Sequence, residues 1–256
     1  MLSFDINISE LAILLSILLR ISIILFMLPI FSSGGVPTAV KALIVFSFSV
    51  MLFPVIRQNI KPVPFELAAL ASVVIGELIY GILFALSMLL VISAFQLAGE
   101  LIGFQMGFGF SQIADPQTGA RFTVLSVWSQ LLATMIFLSI NGHHMILKIL
   151  VDSFKTIPIG SFALDSGMFA KMLLLSGMLF ILAVKLAAPV LAVLILTQIG
   201  LGLMSKFAPQ VNILATSFPL TITLGVFFLG LTLIFWGEMG AQSFTRLFHF
   251  LENFSK

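Results

Sequence analysis

Residues 99–121 read GELIGFQMGFGFSQIADPQTGAR, a stretch dense in glycine, phenylalanine and helix breakers inside a chain that is otherwise almost continuously apolar. In hydrocarbon an unpaired peptide group costs several kcal/mol. Backbone that abandons the helix at membrane depth must therefore be buried in protein or border a cavity. On this reading the segment is a passageway or its stopper.

The flanks define the class. Of the 256 residues 60% are hydrophobic and 9% charged, and mean hydropathy is +1.22, more apolar than a soluble domain of this length needs for its core. The runs Leu78–Ala98, Phe122–Leu147, Leu186–Ser205 and Phe207–Gly237 carry no charge, and each matches or exceeds the roughly 20 residues that cross a ~30 Å hydrocarbon layer as a helix. Their apolar residues come in unbroken blocks, not at every second position, which argues against a membrane barrel. The expectation is an all-α integral membrane protein built of helical hairpins, with an irregular Gly/Phe-rich loop in the middle.

Outward from that loop, Leu11–Phe31 and Ala39–Ile56 form one hairpin across Ser32–Pro37, and Arg57–Pro64 breaks the chain before an apolar stretch too long for one ordinary crossing. Asn141-Gly142-His143-His144 interrupts the run after the loop, and Lys148–Ser166, with Pro158-Ile159-Gly160, reads as a link. A second hairpin turns at Lys206, Pro209 and Gln210, and a more polar tail from Glu238 onward is expected in water. Met1–Leu19 contains no Lys or Arg, so an uncleaved first helix is expected. The chain has no cysteine, which removes disulfides and thiolate chemistry, and its net charge of +2 is scattered, which disfavours nucleic acid as a partner.

A repeat is visible: Gln105-Met-Gly-Phe-Gly-Phe110 with Pro116-Gln117, and Gln198-Ile-Gly-Leu-Gly-Leu203 with Pro209-Gln210. The two suggest equivalent bends of a duplicated hairpin. Gly99, Gly103 and Gly107 recur every fourth residue, which on a helix places them on one face, either against a neighbouring helix or lining a passage. Gly109 is out of that register. Asp115-Pro116-Gln117-Thr118-Gly119 is turn chemistry, where the helix is expected to stop. Met106, Phe108 and Phe110 then lie on or beside irregular backbone, where they either close a conduit by excluding water or simply pack a core.

Arg20, Lys41, Glu77, Glu100, Lys171 and Lys185 lie within or beside apolar runs and should face protein, water or a partner charge, because each costs at least ~2.5–3.5 kcal/mol in lipid. They are too dispersed for an obvious ion relay. His143 and His144 are adjacent and diverge by about 100° on a helix, a poor geometry for one metal. No nucleophile elbow, phosphate loop or catalytic triad order is present, so neither an enzyme nor a cofactor is expected.

The runs GFQMGFGFSQIADPQTGA, FLSINGHHMILKILVDSFKTIPIG and APVLAVLILTQIGLGLMSKFAPQVN with SFPLTITLGV resemble the FliR family of flagellar biosynthesis proteins, and RISIILFMLPIFSSGGVPTAVKALIVFSFSVMLFP extends the likeness over nearly the whole chain. The resemblance implies a subunit of the type III secretion export gate in the bacterial inner membrane at the flagellar basal body. Its partners there would be FliP, FliQ, FlhB and FlhA, with unfolded export substrates as cargo. It implies a FliP-like part over residues 1–166 and a FliQ-like hairpin and tail over 167–256. It further implies that residues 103–120 plug the channel, with Gly103, Phe104, Met106, Gly107, Phe108, Gly109, Phe110, Asp115, Pro116 and Gly119 at the constriction. The competing readings are the homologous subunit of a virulence injectisome and, from another class, a small-solute secondary transporter with paired broken helices.

Overall fold

A computed structural model of the chain describes residues 8–28, 31, 36–57, 67–109, 122–160, 166–207, 210 and 213–254. Among these residues there is no strand, and seven helices follow one another: α1 (Ile8–Met27), α2 (Thr38–Arg57), α3 (Leu67–Met106), α4 (Val124–Ser139), α5 (Gly142–Thr156), α6 (Ser166–Phe207) and α7 (Ile213–Phe254). Five of them are long and apolar enough to cross a bilayer, and α4 with α5 qualifies together as one broken span. The all-α membrane class expected from composition is what the structure contains.

α3 has 40 residues and α6 and α7 have 42 each, or about 60 Å of helix at ~1.5 Å per residue, twice the ~30 Å hydrocarbon layer. The chain divides into two compact units, Met1–Leu90 with Asn141–Leu175 and Thr245–Lys256, and Val91–Ile140 with Ser176–Phe244.

In the first unit α1 buries Ile13, Ile17, Arg20, Ile21 and Ile24, a spacing of three and four residues that faces one side of the helix. α1 and α2 pair as an antiparallel hairpin, since Glu10 near the start of α1 forms an ion pair with Arg57 at the end of α2. α5 contributes Ile146, Ile149, Leu150 and Phe154 to this core.

In the second unit α7 presents Gly225, Leu229, Thr232, Trp236, Gly240 and Phe244 along one face. Phe95 of α3 meets Trp236 edge-on, with ring centroids 5.7 Å apart, and the Trp236 indole N–H donates to the Leu186 carbonyl of α6 at 3.1 Å. Phe137 of α4 lies 5.4 Å from Phe244. A Cβ on Gly240 would fall 2.9 Å from the Phe95 ring, so glycine there permits the close approach.

Two sequence expectations are corrected and one, the tail, gains detail. The proposed link from Lys148 is helical through Thr156, and the chain leaves the helix at 157–160. The polar tail from Glu238 is the continuation of α7 to Phe254; Phe244, Leu247, Phe248 and Leu251 are buried, and their spacing keeps the helix amphipathic despite its charges. The two repeat copies are not equivalent bends: α3 ends before Gly107, whereas α6 runs through Gly200 and Gly202 to Phe207. An α-helix accepts interior glycine at a cost of only about 1 kcal/mol, so spacing alone did not force a break.

Candidate functional site

α3 stops at Met106, and residues 107–109 leave the helix as a turn. The last four carbonyls of a helix have no donor within it, and all four at this end have a donor within reach. The Phe108 N–H donates to the Gly103 oxygen at 2.9 Å and the Gly107 N–H to the Phe104 oxygen at 3.0 Å. With Gly107 at φ +96°, this is a Schellman cap, in which a glycine just beyond the helix takes the left-handed conformation. The other two donors come from distant helices. The Gln198 side-chain amide of α6 reaches the Gln105 oxygen at 3.4 Å, and the Thr221 hydroxyl of α7 lies 3.3 Å from the Met106 oxygen while sharing its one proton with the Ser217 and Phe218 carbonyls of its own helix at 3.0 and 3.2 Å.

Apolar contacts close around the same point. Met106 is fully buried, and a Cβ on Gly225 of α7 would lie 2.7 Å from its Cγ. The Phe218 ring covers Gly107, where a Cβ would fall 2.6 Å from Cε1. Thr221 and Phe218 sit about one turn apart on α7 and clamp the helix end from one direction. Phe104 is 53% exposed, Phe108 is half-buried, and Gly109 is buried beneath the Phe104 ring.

The chain re-enters helix beside its exit. Thr123 is the N-cap of α4, its hydroxyl oxygen accepting from the Ser126 N–H. Its own N–H and hydroxyl both donate to Glu100 Oε2 of α3, at 2.9 and 3.0 Å. The Glu100 carboxylate thus sits at a helix N-terminus, where the dipole favours a negative charge. A Cβ on Gly103 would be 2.6 Å from Thr123 Oγ1, and one on Gly99 would be 2.6 Å from the Leu125 carbonyl. Two of the three spaced glycines therefore bring α3 and α4 into close contact, as the helix-packing reading holds.

Gly107 departs from that reading. It lies past the end of α3 as its cap, and the helix stops at Met106, not at Asp115. The physical reason is the cap, which competes with helix propagation once Phe218 leaves no room for a side chain at Gly107. Phe110, Asp115, Pro116 and Gly119 lie outside the described residues, as does Pro209; Lys206 is exposed in the last turn of α6 and Gln210 is exposed in the turn after it. Thr221, Phe218 and Gly225 carry no sequence signal that separates them from any membrane helix.

The first unit holds a second polar cluster. Arg20 and Glu77 are both 0% exposed and pair two-pronged, Nε–Oε2 at 2.5 Å and Nη2–Oε1 at 2.7 Å. Arg20 also donates to Ser153 Oγ at 3.2 Å and to the Ile157 carbonyl at 3.2 and 3.3 Å. Its guanidinium stacks 4.2 Å from the Phe154 ring and 4.7 Å from that of Tyr80. Every arm of the guanidinium is occupied, so the cluster ties α1, α3 and α5 together and leaves no open valence for a substrate. Sequence reasoning flagged both charges but not their pairing. His143 and His144 open α5 behind Asn141, which takes the left-handed conformation at φ 56°.

Long apolar helices, a buried ion pair that ties three of them together, and one helix end sealed by donors from two others define an all-helical membrane protein organised around a fixed break. Its lineage is specific. Residues 11–247 match the family model described as bacterial export proteins, family 1, and the chain belongs to that family. Flagellar biosynthetic protein FliR of Pectobacterium carotovorum is 31% identical over 223 residues, covering 87% of this chain and 85% of that protein. The FliR proteins of Escherichia coli (31% over 234 residues, 91% and 89% covered) and Bacillus subtilis (31% over 212 residues, 81% of each) are similarly related.

Proposed function

We propose that this chain is a subunit of the flagellar type III export gate in the bacterial inner membrane, and that the segment rooted at Gly107 is the movable constriction of the export channel. The observation that carries the reading is the end of α3, where the four terminal carbonyls have donors within reach from Gly107, Phe108, Gln198 and Thr221. A plug needs a fixed root and a free crown. Met106 and Gly103 belong to the root, and Phe104 and Phe108 flank the crown that Phe110, Asp115, Pro116 and Gly119 continue. Apolar side chains there would exclude water and ions when closed.

The FliR name of the relatives, which refers to flagellar biosynthesis, favours this over an injectisome subunit. FliP, FliQ, FlhB and FlhA are the proposed partners, the basal body the proposed site, and unfolded export substrates the cargo. In this scheme residues 1–166 are the FliP-like part and 167–256 the FliQ-like hairpin and tail. The solute-transporter reading requires paired broken helices, and α6 is unbroken at Gly200. The subunit has no catalytic role in this scheme; energy enters through other components.

The test is cross-linking. With a substrate stalled in the assembled gate, Phe108→Cys should form an adduct with the translocating chain, whereas Phe46→Cys on the exposed face of α2 should not. A gate that cross-links substrate equally from both positions, or from neither, contradicts the proposal.

A further inference from the structure

Lys185 stands alone on an apolar surface. It is the single charged residue of α6 between Lys171 and Lys206, its side chain is exposed, and Met178, Ile181, Ala188, Pro189 and Ala192 on the same side of the helix are exposed with it. Those positions are seven and four residues before and three, four and seven after Lys185, so they form one continuous stripe. Among the described residues no carboxylate lies within 4 Å of the ammonium. Glu238 of α7 is exposed and is also without an ion pair there.

Pro189 adds a second unmet group. A proline inside a helix brings no N–H to the carbonyl four residues earlier, here that of Lys185 itself. One spot on the stripe therefore offers a cation and an under-used main-chain oxygen.

Neither lipid nor water suits this surface. If this stretch of α6 lies in the bilayer, the ammonium is in hydrocarbon, where lysine is disfavoured and must snorkel or pair. If the stretch stands clear of the bilayer, its apolar side chains face water as one extended patch, which soluble surfaces avoid. An apolar protein surface that carries a carboxylate satisfies both components.

We infer that the Lys185 stripe of α6 docks an apolar helix of a neighbouring membrane subunit, and that an Asp or Glu on that helix pairs with the Lys185 ammonium. The inference rests on the export-gate reading for the existence of such a subunit, and it names the face and the charge by which that subunit is recognised.

The experiment uses the full chain expressed with its native export neighbours. A carbodiimide, which condenses a carboxylate with an ammonium into an amide with loss of water, should link Lys185 to an Asp or Glu of another subunit, identified by mass spectrometry of the joined peptide. Lys185→Glu and Lys185→Met should lower the recovered complex roughly tenfold, while Lys185→Arg holds it within about twofold. Melting of the unassembled chain should not change, since the side chain touches nothing charged within it. An amide from Lys185 to Glu238 of the same chain, or Lys185→Met assembling like wild type, overturns the inference and leaves the export-gate reading standing. A wild-type chain that assembles with no membrane partner overturns both.

Discussion

The Thr221 hydroxyl lies 3.3 Å from the Met106 carbonyl oxygen, across 115 residues of sequence, in a buried setting, and shares its proton between that oxygen and the Ser217 and Phe218 carbonyls of its own helix. The Gln198 amide serves the neighbouring Gln105 oxygen from an exposed position. A buried acceptor left without a donor costs about 1–3 kcal/mol, whereas water replaces a lost partner at the surface. Thr221→Val should therefore destabilise the detergent-solubilised chain by about 1–2 kcal/mol, and Gln198→Leu by a few tenths at most. Equal melting temperatures for the two variants would contradict the assigned roles.

Arg20 and Glu77 predict that substituting both costs less than substituting either one. Glu77→Leu leaves a buried guanidinium without its counter-charge, a loss of about 3–5 kcal/mol, while replacing both partners by apolar residues of similar volume is often near neutral. Arg20→Met with Glu77→Leu should thus be more stable than either single change. Thermal melting of the four proteins as a double-mutant cycle reads this directly.

Glycine is required in one copy of the repeat and not in the other. Gly107 has φ +96° with the Phe218 ring against it, whereas Gly200 lies in helix with nothing within 4 Å of the place a Cβ would take. Gly107→Ala should cost at least about 1–2 kcal/mol from the left-handed backbone alone, and Phe218→Leu in the same chain should recover the steric part only. Gly200→Ala should be neutral or stabilising by up to about 1 kcal/mol in the unassembled chain. Melting of the three variants in detergent checks both halves of the contrast.

Long-range structure was legible in the sequence where it depends on transfer free energy. Unbroken apolar blocks specify helices in a membrane protein because nothing else satisfies the backbone there, and the glycines 99 and 103 announced the close α3–α4 contact. The residue at which α3 ends was not legible. Asp115-Pro116 is the stronger local stop signal, but Gly107 stops the helix earlier because Phe218 and Thr221, more than a hundred residues away, favour the cap. The charges beyond Glu238 mark the tail as more polar, while Phe244, Leu247 and Leu251 keep the helical periodicity. Arg20 and Glu77 were each visible as a charge in need of a partner. Their pairing depends on how α1 and α3 pack, which spacing does not encode.

If the segment rooted at Gly107 keeps the gate shut, removing its crown must open a path for ions. Planar bilayers holding the assembled complex with residues 110–114 deleted, and the Gly107–Gly109 cap left intact, read this as conductance. Normal assembly with a standing conductance absent from wild type is the expected result. An assembled deletion complex as tight to ions as wild type would contradict it.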